Sequence, residues 1–203
     1  MVFGEEMNTL NYIFEKYNID SNAESPIQLP HKRDELTRLF KEFEYKIGAE
    51  LGVDRGLYAE ELSKTNPGVK LFCIDPWKVY KDYEDIQDQH IMNVNYNSTK
   101  KRLAPYNCEI IKKSSMGAIK EFAPESLDFV YIDANHTYKY VLEDIEKWSK
   151  IVKTGGIVSG HDYIWRSHRK RTRDDVKNAV DLYVKENNKI LFLLSPSSWF
   201  FII

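Results

Sequence analysis

The C-terminal stretch "KILFLLSPSSWFFII" (189–203) decides the fold. It contains two apolar runs of strand length, residues 189–195 and 198–203, which are separated by only "PS". A crossover between two parallel strands needs a dozen residues or more. The two runs are therefore predicted to pair antiparallel, as a hairpin that ends the sheet.

Upstream of this hairpin, short apolar runs alternate with longer polar stretches of helical character. This alternation predicts βαβ units, in which a parallel sheet carries helices on both faces. The strand candidates are 45–51, 70–75, 108–112, 127–133 and 156–161, and the helix candidates are 56–65, 83–103, 116–122, 137–150 and 173–187. Together with the hairpin, the pattern predicts an α/β fold with a mostly parallel sheet.

The N-terminal part of the chain has a different texture. Residues 6–18 and 33–44 have the spacing of two amphipathic helices, and the loop "SNAESPIQLP" (21–30) separates them. We expect residues 1–44 to form a helical extension, a lid or an interface, within the same domain as residues 45–203. An interface between copies would make a homo-oligomer, which the sequence leaves open.

Bulk properties exclude several classes of protein. The 203 residues suit one domain, and a formal net charge of −2 gives no global attraction to nucleic acid or acidic lipid. No window approaches the roughly 18 apolar residues of a membrane span, and the N-terminus lacks the apolar segment of a signal peptide. Cys73 and Cys108 lie in apolar runs, which favours structural thiols over a disulfide. We therefore expect a cytoplasmic protein without a membrane partner.

Polar residues follow all five predicted parallel strands, in "ELGVDRG", "IDPW", "KKSS", "IDANH" and "GHDY". In sheets of this type ligands bind at the carboxyl ends of the strands, near the switch in strand order. The first of these ends combines Glu50, Gly52 and Gly56 between a strand and a helix. Glycines there allow a tight turn and a close approach to a ligand. An ordinary strand-to-helix turn without a ligand is the structural alternative for the same residues.

The second and third strand ends suit a nucleoside. A carboxylate at Asp75 can accept both hydroxyls of a ribose, and Trp77 offers a flat apolar wall for a purine. Ser114 and Ser115 are candidates for hydrogen bonds to the purine rim. The structural alternatives are that Asp75 caps the next turn and that the serines are helix N-caps.

The segments "AELGVDRG", "CIDPW", "LDFVYIDANHTYKYVLEDIEKW" and "TGGIVSGHDY" resemble the class I S-adenosylmethionine-dependent methyltransferases. Within this family the chain is most similar to a bacterial group of small-molecule or sugar O-methyltransferase-like proteins, over roughly residues 45–203. The resemblance implies a Rossmann-like, doubly wound sheet of seven strands with the last one antiparallel, which agrees with the independent pattern above.

The resemblance also implies roles at the cofactor. Gly52 and Gly56 would flank its methionine portion, Asp75 would hold the ribose, and the adenine would be bordered by Trp77, Ser114 and Ser115. Many members carry G-x-G-x-G, whereas Asp54 stands at the middle glycine position here. This side chain either faces the cofactor's amino group or indicates a looser fit.

The fourth and fifth strand ends suit catalysis. A hydroxyl is a poor nucleophile until a base or a metal ion lowers its pKa. Asp133 ends the central strand with His136 three residues on, while Asp162, preceded by His161, ends the neighbouring strand. The resemblance extends to catechol-type O-methyltransferases, in which residues at these two ends hold magnesium and a basic residue matching His136 takes the proton.

We therefore predict His136 and Asp133 as catalytic residues, and Asp133, His161 and Asp162 as ligands of a divalent metal. Oxygen ligands suit magnesium, whereas an imidazole ligand suits manganese, iron or zinc better. Without a metal, the aspartates would cap helices and His136 would be a neutral base. A solvent-facing His136 beside a cap at Asn135 or Thr137 is the structural alternative.

The leading hypothesis is an S-adenosylmethionine-dependent O-methyltransferase that acts on a small hydroxylated acceptor. The sequence leaves open whether oxygen or nitrogen is methylated. A module that binds cofactor or RNA through the basic run "WRSHRKRTRDD" (165–175) is a rival, but binding alone needs no proton acceptor. A nicotinamide-dependent oxidoreductase is a second rival, against which the missing G-x-G-x-x-G and the terminal hairpin both weigh.

Overall fold

The computed structural model describes residues 8–80, 88–164 and 174–203. The strands are β1 (Ile27–Lys32), β2 (Ile47–Leu51), β3 (Lys70–Ile74), β4 (Cys108–Ile111), β5 (Leu127–Ile132), β6 (Val152–Gly160), β7 (Phe192–Ser195) and β8 (Ser198–Ile202). The helices are α1 (Thr9–Lys16), α2 (Asp34–Glu42), α3 (Leu57–Thr65), α4 (Gln89–Leu103), α5 (Ser115–Ala118), α6 (Tyr138–Trp148) and α7 (Asp175–Glu186), with a 3-10 turn at Ile119–Glu121.

The eight strands form one sheet in the spatial order β1-β7-β8-β6-β5-β2-β3-β4. Only β8 runs antiparallel to its neighbours, β6 and β7, among the strand pairs of the described chain. The predicted α/β fold class and its C-terminal hairpin are therefore confirmed. Strand order reverses beside β2, which has β3 on one side and β5 on the other, so a ligand crevice is expected at the end of β2.

The sheet has one strand more than the seven that were predicted. The extra strand, β1, comes from the N-terminal loop and pairs parallel with β7. Ile27 and Leu29 are buried while Gln28 is exposed, which is the alternation of a half-buried strand. The strand was not predicted because Pro26 and Pro30 flank or interrupt it, and proline breaks most strands. Proline is tolerated at the edge of a sheet, which is where β1 lies.

Helix α2 of the N-terminal stretch packs directly on the sheet. Phe40 of α2 stacks on Phe129 of β5 with ring centroids 4.0 Å apart. Gly48 of β2 leaves the space for this contact, since a Cβ there would lie 2.2 Å from the Phe129 ring. The other face of the sheet is covered by α6 and α7, where Trp148 and Val180 are fully buried. Helix α2, from the N-terminal stretch, is thus part of the hydrophobic core.

Two predicted segments fall partly outside the described residues. The helix predicted over 83–103 is described from residue 89 onward, as α4, and most of the basic run, residues 165–173, is likewise not described. In the described parts of the chain, no helix combines the length and the apolar character that crossing a bilayer requires.

Candidate active site

The carboxyl ends of three adjacent strands, β5, β2 and β3, meet at one edge of the sheet. A cleft opens there, and four of the predicted residues line it: Gly52 after β2, Asp54 in the same loop, Asp75 after β3 and Asp133 after β5. Lys78, Tyr80 and Asn135 also line the cleft. The topology therefore brings together side chains that are far apart in the sequence.

The loop after β2 needs glycine where it passes the end of β5. Gly52 has a φ of +84°, and a Cβ at this position would lie 2.0 Å from the carbonyl oxygen of Asp133. Gly56 has a φ of +72° at the start of α3, where the Thr99 methyl group is 3.1 Å from the place of a Cβ. Both positions favour glycine because other residues rarely adopt positive φ. The result is a loop whose backbone lies directly against the candidate site.

Asp54, at the position of the missing middle glycine, is held by its neighbours. Its Oδ1 accepts a hydrogen bond of 2.5 Å from the Asn95 amide, and its Oδ2 lies 3.3 Å from Arg55 Nε. The backbone adopts a φ of +47°. The carboxylate thus points toward α4 while the residue itself lines the cleft.

Asp75 organises the same loop through its carboxylate. Oδ2 accepts hydrogen bonds from the backbone N–H groups of Val53 (3.1 Å) and Asp54 (3.0 Å), and Oδ1 accepts one from Trp77 (2.7 Å). Burial raises the pKa of Asp75, and the three N–H donors oppose this shift. An ionised carboxylate offers about four acceptor sites, so capacity is left for a ligand hydroxyl.

The remaining candidates at this end of the cleft have structural contacts. Trp77 is 1% exposed and its indole N–H donates to the Asp54 carbonyl oxygen over 2.8 Å, so the ring supports the loop from the core. Ser114 is the N-cap of α5 and accepts from Gly117 N at 3.1 Å. Ser115 hydrogen-bonds Asp144, whose pKa burial raises to about 7. These positions favour supporting roles, and contacts with a purine stay predictions.

Glu50 lies deeper than the cleft. Its side chain is 2% exposed, and Oε2 has no hydrogen-bond partner within the described structure. Burial, reinforced by the charge of Asp133, raises its pKa well above the ordinary value, which favours the neutral carboxyl. Glu50 thus stands beneath the site rather than on its surface.

At the other end of the cleft, one imidazole stands between two carboxylates. His136 Nε2 lies 3.2 Å from Asp133 Oδ1 and 3.2 Å from Asp162 Oδ2. The ligand atoms of these three residues all lie within 4.8 Å of one another, close enough to share one metal ion. Two carboxylate oxygens and one imidazole nitrogen form a donor set that fits manganese, zinc or iron, and magnesium less well.

His161, which was predicted as a metal ligand, takes a different position from His136. Its Nδ1 lies 2.8 Å from the second carboxylate oxygen of Asp162, and its Nε2 lies 3.3 Å from Ser197 Oγ. It therefore orients Asp162 from the side away from His136. The structure brings Asp133, His136 and Asp162 together as the candidate metal-binding group.

Asn135 shapes the turn that presents His136. Its side chain is buried, and Oδ1 accepts hydrogen bonds from the backbone N–H and the hydroxyl of Thr137, both at 2.9 Å. Its Nδ2 donates to the Tyr80 hydroxyl over 3.1 Å. The Asn135 side chain thus stabilises the start of α6, while the His136 imidazole is directed at the two carboxylates.

Comparison with known proteins assigns this chain to a family. The family model described as "Methyltransferase domain" matches residues 47–163, which is more than half of the chain. The chain belongs to this methyltransferase family. The resemblance inferred from the strand-end motifs is confirmed at that level. A search of curated protein sequences gave no match.

Solved structures show the same fold for this methyltransferase. A protein assigned as a caffeoyl-CoA O-methyltransferase from Staphylococcus aureus has a TM-score of 0.62 at 14% identity, covering 98% of this chain and 93% of that one. The O-methyltransferase TomG from Streptomyces achromogenes, solved with SAM, has a TM-score of 0.57 at 13% identity, with coverages of 99% and 92%. An O-methyltransferase from Bacillus cereus, in complex with SAH, has a TM-score of 0.59 at 13% identity, with coverages of 100% and 94%.

The sequence analysis did not single out two charged residues that the structure places near the predicted ones. Asp144 faces Ser115 from the middle of α6, and its place in an amphipathic helix gave no sign of a buried carboxyl. Arg33, which precedes α2, places its guanidinium 4.5 Å from the centre of the Tyr58 ring and 3.5 Å from the Tyr131 hydroxyl. No local motif marks Arg33, because its neighbours come from distant parts of the chain.

Proposed function

We propose that this methyltransferase uses S-adenosylmethionine to methylate a hydroxyl group of a small acceptor, with His136 as the general base. The observation that carries the proposal is the position of His136 Nε2, 3.2 Å from a carboxylate oxygen of both Asp133 and Asp162, beside the cleft that also contains Asp75. A site for binding alone has no need of a proton acceptor held in this way.

The cleft fits the proposed cofactor. Gly52 lets the loop after β2 lie directly against the Asp133 backbone, and both residues line the cleft. Asp75 retains acceptor capacity for ribose hydroxyls beyond its three backbone bonds. When bound, S-adenosylmethionine supplies an electrophilic methyl group on its sulfonium.

The chain itself has to align the acceptor and remove its proton. With its proton on Nδ1, a neutral His136 would accept the hydroxyl proton at Nε2, and the new Nε2–H would then donate to a carboxylate oxygen of Asp133 or Asp162. The hydrogen bonds of Asn135 to Thr137 hold the turn from which the ring projects. His161, whose other ring nitrogen contacts Ser197, holds Asp162 in turn.

A mechanism with a divalent metal bound at the same position is the alternative to a general base. Asp133, His136 and Asp162 would hold it, and its chemistry would be to lower the pKa of the acceptor hydroxyl. The same nitrogen, Nε2, would serve either as base or as ligand, so a bound metal would exclude His136 as the base. Removing the metal therefore separates the two versions of the mechanism.

The test compares His136→Gln with His90→Gln, which changes an exposed histidine of α4. We expect His136→Gln to lower kcat by about 10²–10⁴, as for a lost general base, with unchanged affinity for S-adenosylhomocysteine. Transfer of a labelled methyl group to a panel of phenols and sugars gives the rate, and calorimetry gives the affinity. A His136→Gln variant as active as His90→Gln would show that His136 is not the general base. A wild type that binds no S-adenosylhomocysteine would show that the proposed cofactor is wrong.

A further inference from the structure

Arg33 differs from every other arginine whose side chain the structure describes. Arg38, Arg55 and Arg102 each pair with a carboxylate. Arg33 forms no such ion pair with any described residue, and its contacts are the Tyr58 ring and the Tyr131 hydroxyl. A half-buried guanidinium without an ion-pair partner among the described residues has further N–H donors available for an anionic ligand.

The polar groups around Arg33 form no ion pair with it in the described structure. Glu50 is buried nearby and interacts electrostatically with Arg33, but burial favours the neutral form of its carboxyl. The Tyr58 hydroxyl is buried and has no hydrogen-bond partner among the described residues. Asp133 also interacts electrostatically with Arg33, and its Oδ1 is directed toward His136. The cluster thus combines a cation, a nearby carboxylate and unpaired buried polar atoms.

The position of the cluster in the sheet indicates which end of the cofactor it would meet. The strand order β5-β2-β3-β4 places Asp75 on the β3 side of the loop at Gly52, and Asp133 and Tyr131 on the β5 side. A nucleoside held at Asp75 would therefore direct its amino-acid end toward β5. That end is zwitterionic, and Arg33 with Asp133 offers one charge of each sign.

We propose that Arg33 binds the carboxylate of the cofactor's amino-acid end. A guanidinium suits this task, because its planar fork can donate two parallel hydrogen bonds to a carboxylate. The inference rests on the proposed function, and it adds a cofactor ligand from the N-terminal residues 1–44. It makes this segment part of the methyltransferase site, beyond a lid or an interface.

The test measures two ligands against three proteins by calorimetry. The ligands are S-adenosylhomocysteine and its carboxamide, in which the carboxylate charge is removed. The proteins are the wild type, Arg33→Met and the control Arg38→Met, which changes an arginine within α2, the helix that Arg33 precedes; the Arg38 side chain is 58% exposed. We expect Arg33→Met to bind S-adenosylhomocysteine about 10–100-fold more weakly, as for a lost charged hydrogen bond. The carboxamide should bind Arg33→Met and wild type alike, and Arg38→Met should match the wild type with both ligands.

Each other outcome overturns the inference. Unchanged affinity of Arg33→Met for S-adenosylhomocysteine would exclude the contact, and an equal loss for both ligands would indicate a structural role. A wild type that binds neither ligand would refute the proposed function itself, which is a distinct result. If Arg33→Met does not fold, the wild type can still refute the inference, because it must bind the carboxamide about tenfold more weakly than the acid. Arg33→Lys, which keeps the charge and loses the fork, should fall between wild type and Arg33→Met.

Discussion

Replacing Gly52 by alanine tests how tightly the loop after β2 meets the end of β5. The new Cβ would lie 2.0 Å from the Asp133 carbonyl oxygen and 2.7 Å from the Ala134 Cα, whereas ordinary contact begins at 3.4 Å. Both neighbours are backbone atoms, so no side-chain rotation can relieve the overlap. The backbone φ of +84° would also be strained for alanine.

The expected loss of stability has two parts. Positive φ alone costs a residue with a Cβ about 1–2 kcal/mol. The overlap must in addition push Asp133 away from Leu51, whose carbonyl oxygen accepts a 2.8 Å hydrogen bond from Asp133 N. Losing that bond adds roughly 1 kcal/mol. We therefore expect Gly52→Ala to lower the free energy of unfolding by about 2–3 kcal/mol or more.

Two other glycines separate these contributions. Gly155 has a φ of +81°, but the nearest atom to its Cβ position is Thr9 Oγ1 at 3.5 Å, so Gly155→Ala carries the strain without the overlap. Gly68 has no atom within 4 Å and no positive φ, so Gly68→Ala should be neutral or stabilising by up to about 1 kcal/mol. Urea unfolding should rank the losses Gly52→Ala, then Gly155→Ala, then Gly68→Ala.

The same variants connect stability to the site. Because the displaced backbone carries Asp133, Gly52→Ala should also weaken the binding of S-adenosylhomocysteine, and Gly155→Ala should not. A Gly52→Ala protein that is no less stable than Gly155→Ala would refute the close contact between the loop and Asp133. The argument that glycine is required at position 52 would then fail.

Three further predictions concern the carboxylates. Asp75→Ala should weaken binding of S-adenosylhomocysteine by roughly 1.5–3 kcal/mol in calorimetry, and unchanged affinity would remove Asp75 from the cofactor site. If Asp133 and Asp162 share a metal ion, a chelator should abolish turnover and magnesium, manganese or zinc should restore it; full activity in excess chelator would contradict a metal. Because the pKa of Asp144 is raised to about 7 from 3.8, the folded protein holds this proton more tightly than the unfolded chain does, and stability should decline as pH rises from about 4 to 7. The decline should be of order 1 kcal/mol per pH unit, and Asp144→Asn should remove it. Urea unfolding of both proteins at pH 5 and pH 8 measures this, and an equal change of unfolding free energy with pH in both would contradict the prediction.

The sequence by itself determined the fold class and the edge of the sheet at which the candidate site lies. Only two residues separate the last two strands, so they could pair in one way, and the alternation before them required parallel strands. Parallel strands place their carboxyl ends on one edge, which is why Asp75, Asp133 and Asp162 could be expected near one another. These inferences depend on the length of the connections between strands and on the periodicity of apolar residues, which are local properties of a sequence.

Only the tertiary structure decided which side chains meet at that edge. From the sequence, His161 was predicted as a metal ligand and His136 as the base. In the structure His136 lies between the two carboxylates, whereas His161 contacts the other oxygen of Asp162. Trp77 was expected at the surface of the cleft and is 1% exposed. Arg33 reaches Tyr131 from 98 residues away, a contact that no spacing rule encodes because it exists only once α2 has packed on the sheet.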